Sequence, residues 1–233
     1  MNFFKNNKSK LIVGTIFIFP VLFYVLLSIG KHSYTRLSYY NKEQKVVDIK
    51  EAIVLDNAYF LNQNNDSIAI EKNRGKITIW GVLNTHDFLI TPAIIANLQF
   101  LQERFKDRSE LQFFSLIANS TNEEEIQEFV QTLNIDTHNW QILYSDSLSN
   151  NSFAQNRLFI KYKTLPDSLS QVVPSSDLVL VDQNLHIRGY FQGAVHKEVK
   201  EQLLDAIDML IREQYVVYKK KRPSIKSILT DEK

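Results

Sequence analysis

Few side chains in this sequence are suited to chemistry, and the most suggestive ones gather at one place. His86 and Asp87 stand side by side in a short polar turn running from Asn84 to Asp87, with Thr91-Pro92 just beyond. An imidazole next to a carboxylate can contribute two donors to a divalent ion. Neighbours in an extended loop tend to point apart, however, and a metal site normally needs three or four ligands, so His86 and Asp87 alone are an incomplete metal set. The remaining candidates have simpler readings. His138, His186 and His196 fall in a loop, on a strand face and at a helix start. Glu123 to Glu125 invite acid/base or metal work, but three acids in the first turn of a helix answer the positive end of its dipole. Ser175-Ser176-Asp177 is a polar turn before a strand.

Absences narrow the chemistry further. The sequence contains no cysteine, which excludes disulfides, thiolate metal sites and thiol catalysis. Its only methionines are Met1 and Met209, so a thioether copper site has too few ligands. No G-x-S-x-G, H-E-x-x-H or P-loop pattern occurs, and six glycines are too sparse for a phosphate cradle. These absences point away from an enzyme, and no catalytic or cofactor-binding residue is expected.

The elements that must position this turn can be read around it. Ile77, Ile79, Trp80, Val82 and Leu83 form an apolar, β-rich run ahead of the turn. A helix should follow from Thr91-Pro92 through Phe105, because proline suits the first helical position and threonine can cap the amides there. Leu111 to Ala118 is a near-continuous apolar run, as expected of a strand covered on both faces of a parallel sheet. Thr121-Asn122-Glu123-Glu124 is a capping-box pattern, and Ile126, Phe129, Val130 and Leu133 continue it at helical spacing. Trp140 to Tyr144 reads as a short strand and Asn151 to Tyr162 as a helix. Leu178 to Val181 and His186 to Phe191 read as antiparallel strands across a turn at Asp182-Gln183-Asn184. Val199, Leu203, Ile207, Leu210 and Ile211 stripe one face of a helix from about Val195 to Arg212. Upstream, Ala58 to Leu61 and Ser67 to Ile70 flank a turn and suggest a hairpin. The order gives a mixed α/β sheet with a βαβ unit on one side and a terminal ββα on the other.

The N-terminal region has a different character. Leu11 to Ile29 is 19 residues without a charge. At about 1.5 Å per residue this nearly matches the roughly 30 Å hydrocarbon core of a bilayer. Lys5, Lys8 and Lys10 precede it, and no small-residue cleavage site follows, which favours an uncleaved signal anchor with the remainder of the chain across the membrane. The expected organisation is a cytoplasmic stretch 1–10, a transmembrane signal anchor 11–29, a juxtamembrane connector 30–57, a folded domain 58–215 and a basic, disordered tail 216–233. With 27 basic against 26 acidic residues, no bulk field favours nucleic acid as a partner.

Several short stretches carry a family resemblance: Gly75-Lys76, Thr91-Pro92 with Asn97-Leu98, Asn134-Ile135-Asp136 with Trp140, and Leu180-Val181-Asp182. Their order and spacing, from about Ala58 to Arg212, resemble the Sco/SenC family of membrane-anchored, thioredoxin-fold proteins. The resemblance implies a thioredoxin-like domain on the extracytoplasmic, periplasmic side. Family members bind copper through a CxxxC pair followed by proline and a distant histidine, and serve the dinuclear copper centre of cytochrome c oxidase. Carried over, the two cysteines fall on Asp87 and Thr91, ahead of the retained Pro92, and the histidine falls on Pro174. All three ligand types are replaced, so the site is degenerate.

The expected function is therefore that of a non-catalytic accessory or scaffold in oxidase assembly or another envelope process. It would be held at the membrane by its N-terminal helix and would bind a protein partner such as the oxidase or its assembly factors. Two alternatives stay open: a copper-chaperone-like protein using non-cysteine ligands such as His86 and Asp87, and a general envelope protein unrelated to copper.

Overall fold

The structure is a computed structural model that describes residues 15–16, 18–24, 36–55, 58–118, 122–145, 150–164 and 172–221. The chain divides into two units, Met1–Thr35 and Arg36–Lys233. In the first, residues 15–16 and 18–24 are helical (α1). Ile16, Ile18, Phe19, Val21, Leu22, Phe23 and Tyr24 are all exposed there. Phe19 and Phe23, one turn apart, stack with ring centroids 6.2 Å apart. Much of the expected span Leu11 to Ile29 lies outside the described residues, and among those described no helix is long and apolar enough to cross a membrane.

The second unit is built on β5 (Ile77–Leu83), in which every residue is buried. A seven-residue run of mostly β-branched and aromatic side chains, covered on both faces, belongs at the centre of a sheet. β5 pairs in parallel with β6 (Leu111–Ile117), and β6 in parallel with β7 (Trp140–Tyr144). On the other flank β10 (Asp177–Val181) runs antiparallel to β5, and β11 (Ile187–Gln192) antiparallel to β10. The expected upstream hairpin forms as β3 (Tyr59–Asn62) and β4 (Ser67–Ala69). Rather than standing apart, it extends the sheet by pairing β3 with β7, giving seven strands in the order β11-β10-β5-β6-β7-β3-β4.

Helices cover both faces. One core gathers Ile94, Ile95, Leu98 and Leu101 from α2 (Ile90–Arg104), Ile126 from α3 (Glu123–Thr132), and Leu203, Ile207 and Leu210 from the C-terminal helix. Each such side chain contributes about 1.5–3 kcal/mol by leaving water. The opposite face buries Phe153 from α4 (Asn150–Asn156) against Trp80 and Phe114, whose rings stack 4.5 Å apart. Both buried indole N–H groups are satisfied locally, Trp80 donating to Thr78 Oγ1 and Trp140 to Ser115 Oγ.

Several local expectations change. α3 is capped by Asn122, whose side chain accepts from Glu124 N, and Thr121 lies outside the described residues. α4 ends at Asn156, well short of Tyr162. Phe159 takes a positive φ of 56°, and Ile160 N donates to Ala154 O, which turns Leu158 and Ile160 into the core. Tyr162 instead opens β8 (Tyr162–Thr164), which pairs antiparallel with β9 (Val172–Pro174). The C-terminal helix starts as α5 (His196–Glu198), passes through a π-helical turn (Val199–Leu203) and continues as α6 (Leu204–Lys221). It therefore carries part of the expected disordered tail, and residues 222–233 lie outside the described ones.

The expected connector 30–57 is largely part of the domain. β1 (Tyr39–Tyr40) and β2 (Val46–Val47) pair with each other, and Leu55 is buried with its N–H donating to Leu185 O. Tyr40 meets Tyr190 edge to face at 5.5 Å. Burial, with Asp177 and Tyr40 nearby, holds the Tyr190 phenol above the ordinary range, so it stays protonated. The strongest tie is Arg188, 2% exposed. Its guanidinium donates to Asp182 Oδ2 at 2.9 Å, to Leu37 O at 2.6 Å, to Ser38 O at 3.2 Å and to Glu213 Oε2 at 3.1 Å. It also lies 4.1 Å from the centre of the Tyr39 ring. Of the segment's tyrosines, Tyr39 thus serves this buried cation and Tyr40 packs on Tyr190.

Candidate functional site

β5 ends at Leu83, and the chain then turns into α2 through residues 84–89. Polar side chains shape this turn by bonding to its own backbone. Asn84 Oδ1 accepts from His86 N at 3.0 Å, and Asn84 O accepts from Asp87 N. Asp87 Oδ1 accepts from Leu89 N at 3.0 Å and from Ile90 N at 2.8 Å, so it satisfies two of the otherwise unpaired donors at the start of α2. Thr91 does not cap the helix as expected from sequence. Its buried hydroxyl donates to Asn84 O at 3.0 Å and accepts from Asn84 N at 3.1 Å, which fastens the strand exit to the first helical turn.

With the polar groups turned inward, the apolar ones face out. Phe88 is 87% exposed and Leu89 81%, with Ile90 also exposed. Their apolar side chains offer no metal or acid/base chemistry, so residue type alone gives them no role. The available signal was the Phe-Leu-Ile run between Asp87 and Thr91-Pro92, at the junction of turn and helix. Beside this turn a cleft of about 290 Å³ separates it from α3, lined by Phe88, Thr91, Pro92, Glu125, Glu128 and Phe129 among others. Thr85 Oγ1 lies 3.4 Å from Glu125 Oε1 and bridges its two walls.

The other residues singled out in the sequence are dispersed. Pro174 closes β9 opposite Tyr162. The register of β10 on β5, Val181 with Thr78 and Val179 with Trp80, brings the start of β10 towards the carboxyl end of β5. Pro174, just upstream, thus belongs to the same end of the sheet as Asp87 and Thr91. Tyr162 donates to Asn151 Oδ1 at 2.9 Å, and burial pushes its phenol up to about 12, so it remains a donor at neutral pH and holds the hairpin in place. His138 N donates to Asp136 Oδ1 in a loop. His186 meets Tyr39 edge to face at 5.4 Å. His196 Nδ1 lies 2.6 Å from Asn97 Oδ1, and Asn97 Nδ2 donates to Gly193 O at 2.7 Å. Gly193 is required there, since a Cβ would stand 2.8 Å from Ser176 O and 2.7 Å from Leu178 Cγ. This cluster clamps α2 to the end of β11.

Glu123 to Glu125 occupy the first turn of α3, as expected for acids at a positive helix end. Among the described residues no group of three His, Asp or Glu side chains is placed to share a metal ion. The three positions onto which the resemblance would carry copper ligands, Asp87, Thr91 and Pro174, offer no donor suited to Cu(I). Cu(I) prefers soft sulfur donors, whereas Asp87 and Thr91 offer hard oxygens already engaged with backbone groups, and Pro174 has no side-chain donor.

The sequence matches no protein-family model and no curated protein. The structure is similar to several solved ones. A SCO1/SenC family lipoprotein from Bacillus anthracis str. Ames superposes with a TM-score of 0.58 at 22% identity, over 68% of this chain and 95% of that one. BsSco, described as a member of the Sco family of cytochrome c oxidase assembly proteins, gives 0.57 at 18% identity over 69% and 95%. ScoI of Arabidopsis thaliana, solved with copper bound, gives 0.54 at 19% identity over 70% and 99%. The expected resemblance to Sco/SenC proteins therefore holds at the level of the fold, a mixed sheet of thioredoxin-like type flanked by helices.

Proposed function

We propose that this chain is a Sco/SenC-like protein that binds a protein partner through the turn after β5 and carries neither a copper ion nor a redox thiol there. One observation carries the reading: the turn keeps its strand-to-helix geometry, yet Asp87 and Thr91 are bonded to backbone groups while Phe88 and Leu89 project outward. A surface that exposes large apolar side chains at an internally bonded turn is suited to protein contact. Within this reading, residues 11–29 hold the domain at the membrane on its extracytoplasmic side, and the bound partner is a respiratory oxidase, one of its assembly factors or another envelope protein. The charge-free run, the exposed apolar side chains of α1 and the likeness to a protein described as a lipoprotein support that placement.

Two measurements on the full chain in detergent test the proposal. In competition with a Cu(I) chelator, the protein should bind no stoichiometric copper. Tight one-to-one binding that is lost in His86→Ala or Asp87→Ala would instead establish the chaperone reading with non-cysteine ligands. Affinity purification from membranes should recover an oxidase subunit or assembly factor with the native chain and much less with Phe88→Ser. Recovery of no such component would remove the assembly role.

A further inference from the structure

The cleft beside the turn has a chemical bias that says what it would hold. Its apolar surface comes from Phe88, Pro92, Phe129 and Leu133; Asp87, Glu125 and Glu128 stand around it beside a single histidine, His86, with no lysine or arginine among the lining residues. About 290 Å³ is the room taken by one or two large side chains, at the small end of ligand-site sizes. We infer that it receives a cationic segment of a protein partner, with one large apolar side chain entering the cleft and flanking lysines or arginines paired with the three carboxylates. This rests on the partner-binding reading above and adds the partner's chemistry to it.

Two physical points support the inference. An interface concentrates affinity in a few buried apolar or aromatic anchors, surrounded by a polar rim. Here Phe88 and Phe129 offer the apolar surface and the carboxylates form the rim. An excess of one charge sign around a cleft also speeds the approach of an oppositely charged partner and rejects one of the same sign. The occupant is expected to be a separate molecule. The folded unit begins beside Leu37, whose N–H donates to Glu213 Oε1, and Gln214 Nε2 donates to Gly75 O. Both contacts lie at the amino end of β5, whereas the cleft lies beside its carboxyl end.

The test measures binding of fluorescent twelve-residue peptides to the full chain in detergent. One peptide carries a central tryptophan flanked by lysines, a second replaces the lysines with glutamates, and a third replaces the tryptophan with serine. The cationic tryptophan peptide should bind at least tenfold more tightly than either other, and the difference should shrink as salt rises. Glu125→Gln with Glu128→Gln and, separately, Phe88→Ser should each weaken it about tenfold, whereas Glu103→Gln, on another surface, should leave it unchanged. Circular dichroism confirms that each variant is folded. Equal binding of the acidic peptide, or no loss with the glutamine pair, would overturn the cationic assignment. If Phe88→Ser still abolished partner recovery from membranes, the partner-binding reading would survive that failure. Loss of neither would remove both. Concentration-dependent self-association abolished by truncation after Tyr218 would overturn the separate-partner assignment and make the occupant the basic tail of a second copy.

Discussion

The two ends of β5 use polar side chains in opposite ways. At the amino end Arg188 is buried among Asp182, Glu213 and the carbonyls of Leu37 and Ser38, and that cluster fastens residues 36–40 to the domain. At the carboxyl end Asn84, Asp87 and Thr91 bond to the backbone of a single turn and leave Phe88 and Leu89 in solvent. Residue type alone points to the carboxyl end, where His86 stands next to Asp87, and gives Arg188 no special place. The difference teaches that a buried ion cluster, closed by carboxylates and carbonyls on every side, is a fastening, whereas a turn whose polar groups are internally satisfied is free to present an apolar surface.

The comparison breaks most readily at Arg188. Arg188→Met should destabilise the protein by about 3–5 kcal/mol in urea unfolding, because it leaves Asp182 and Glu213 without their shared cation. It should also expose the chain near Tyr39 to limited proteolysis. Next comes Thr91→Val, which removes two hydrogen bonds at a buried site and should cost about 1–3 kcal/mol, with Thr91→Ser recovering most of the loss. Asp87→Ala should cost about 1 kcal/mol by uncapping Leu89 and Ile90. Phe88→Ser should shift unfolding by less than about 0.5 kcal/mol, since the side chain is already in water. That variant sharpens the contrast: a surface residue with almost no effect on stability should have the largest effect on partner recovery. If Phe88→Ser instead destabilised the fold as much as Thr91→Val, the turn would be a structural element like its opposite end.

The sequence made the central strands legible because each is a local apolar run, and the order of strands and helices around Ile77 to Leu83 pointed to the right fold class. The stripe at Val199, Leu203, Ile207 and Leu210 likewise revealed the C-terminal helix. Helix ends and the connector were harder. The end of α4 depends on the left-handed turn at Phe159, and the docking of residues 36–55 depends on contacts with Leu185 to Tyr190, Arg188 among them, far along the chain. At the turn, the sequence gave Thr91 the capping task that Asp87 performs, since which of two nearby side chains meets the free amides is set by the backbone path.

By itself, the sequence determined what this protein lacks. With no cysteine and with Asp87, Thr91 and Pro174 at the expected ligand positions, thiol chemistry is excluded by composition and needs no coordinates. Composition also fixed the near-neutral charge and the long charge-free run near the N-terminus. Only the tertiary structure decided which polar residues fasten and which surface is left open. Arg188 meets partners 25 and 151 positions away, and Phe88 is exposed because the strand and helix on either side of it turn their own apolar faces to the core. Hydrophobic pattern is a local property that a sequence carries, whereas the pairing of charges and the facing of a turn are set by where distant segments arrive.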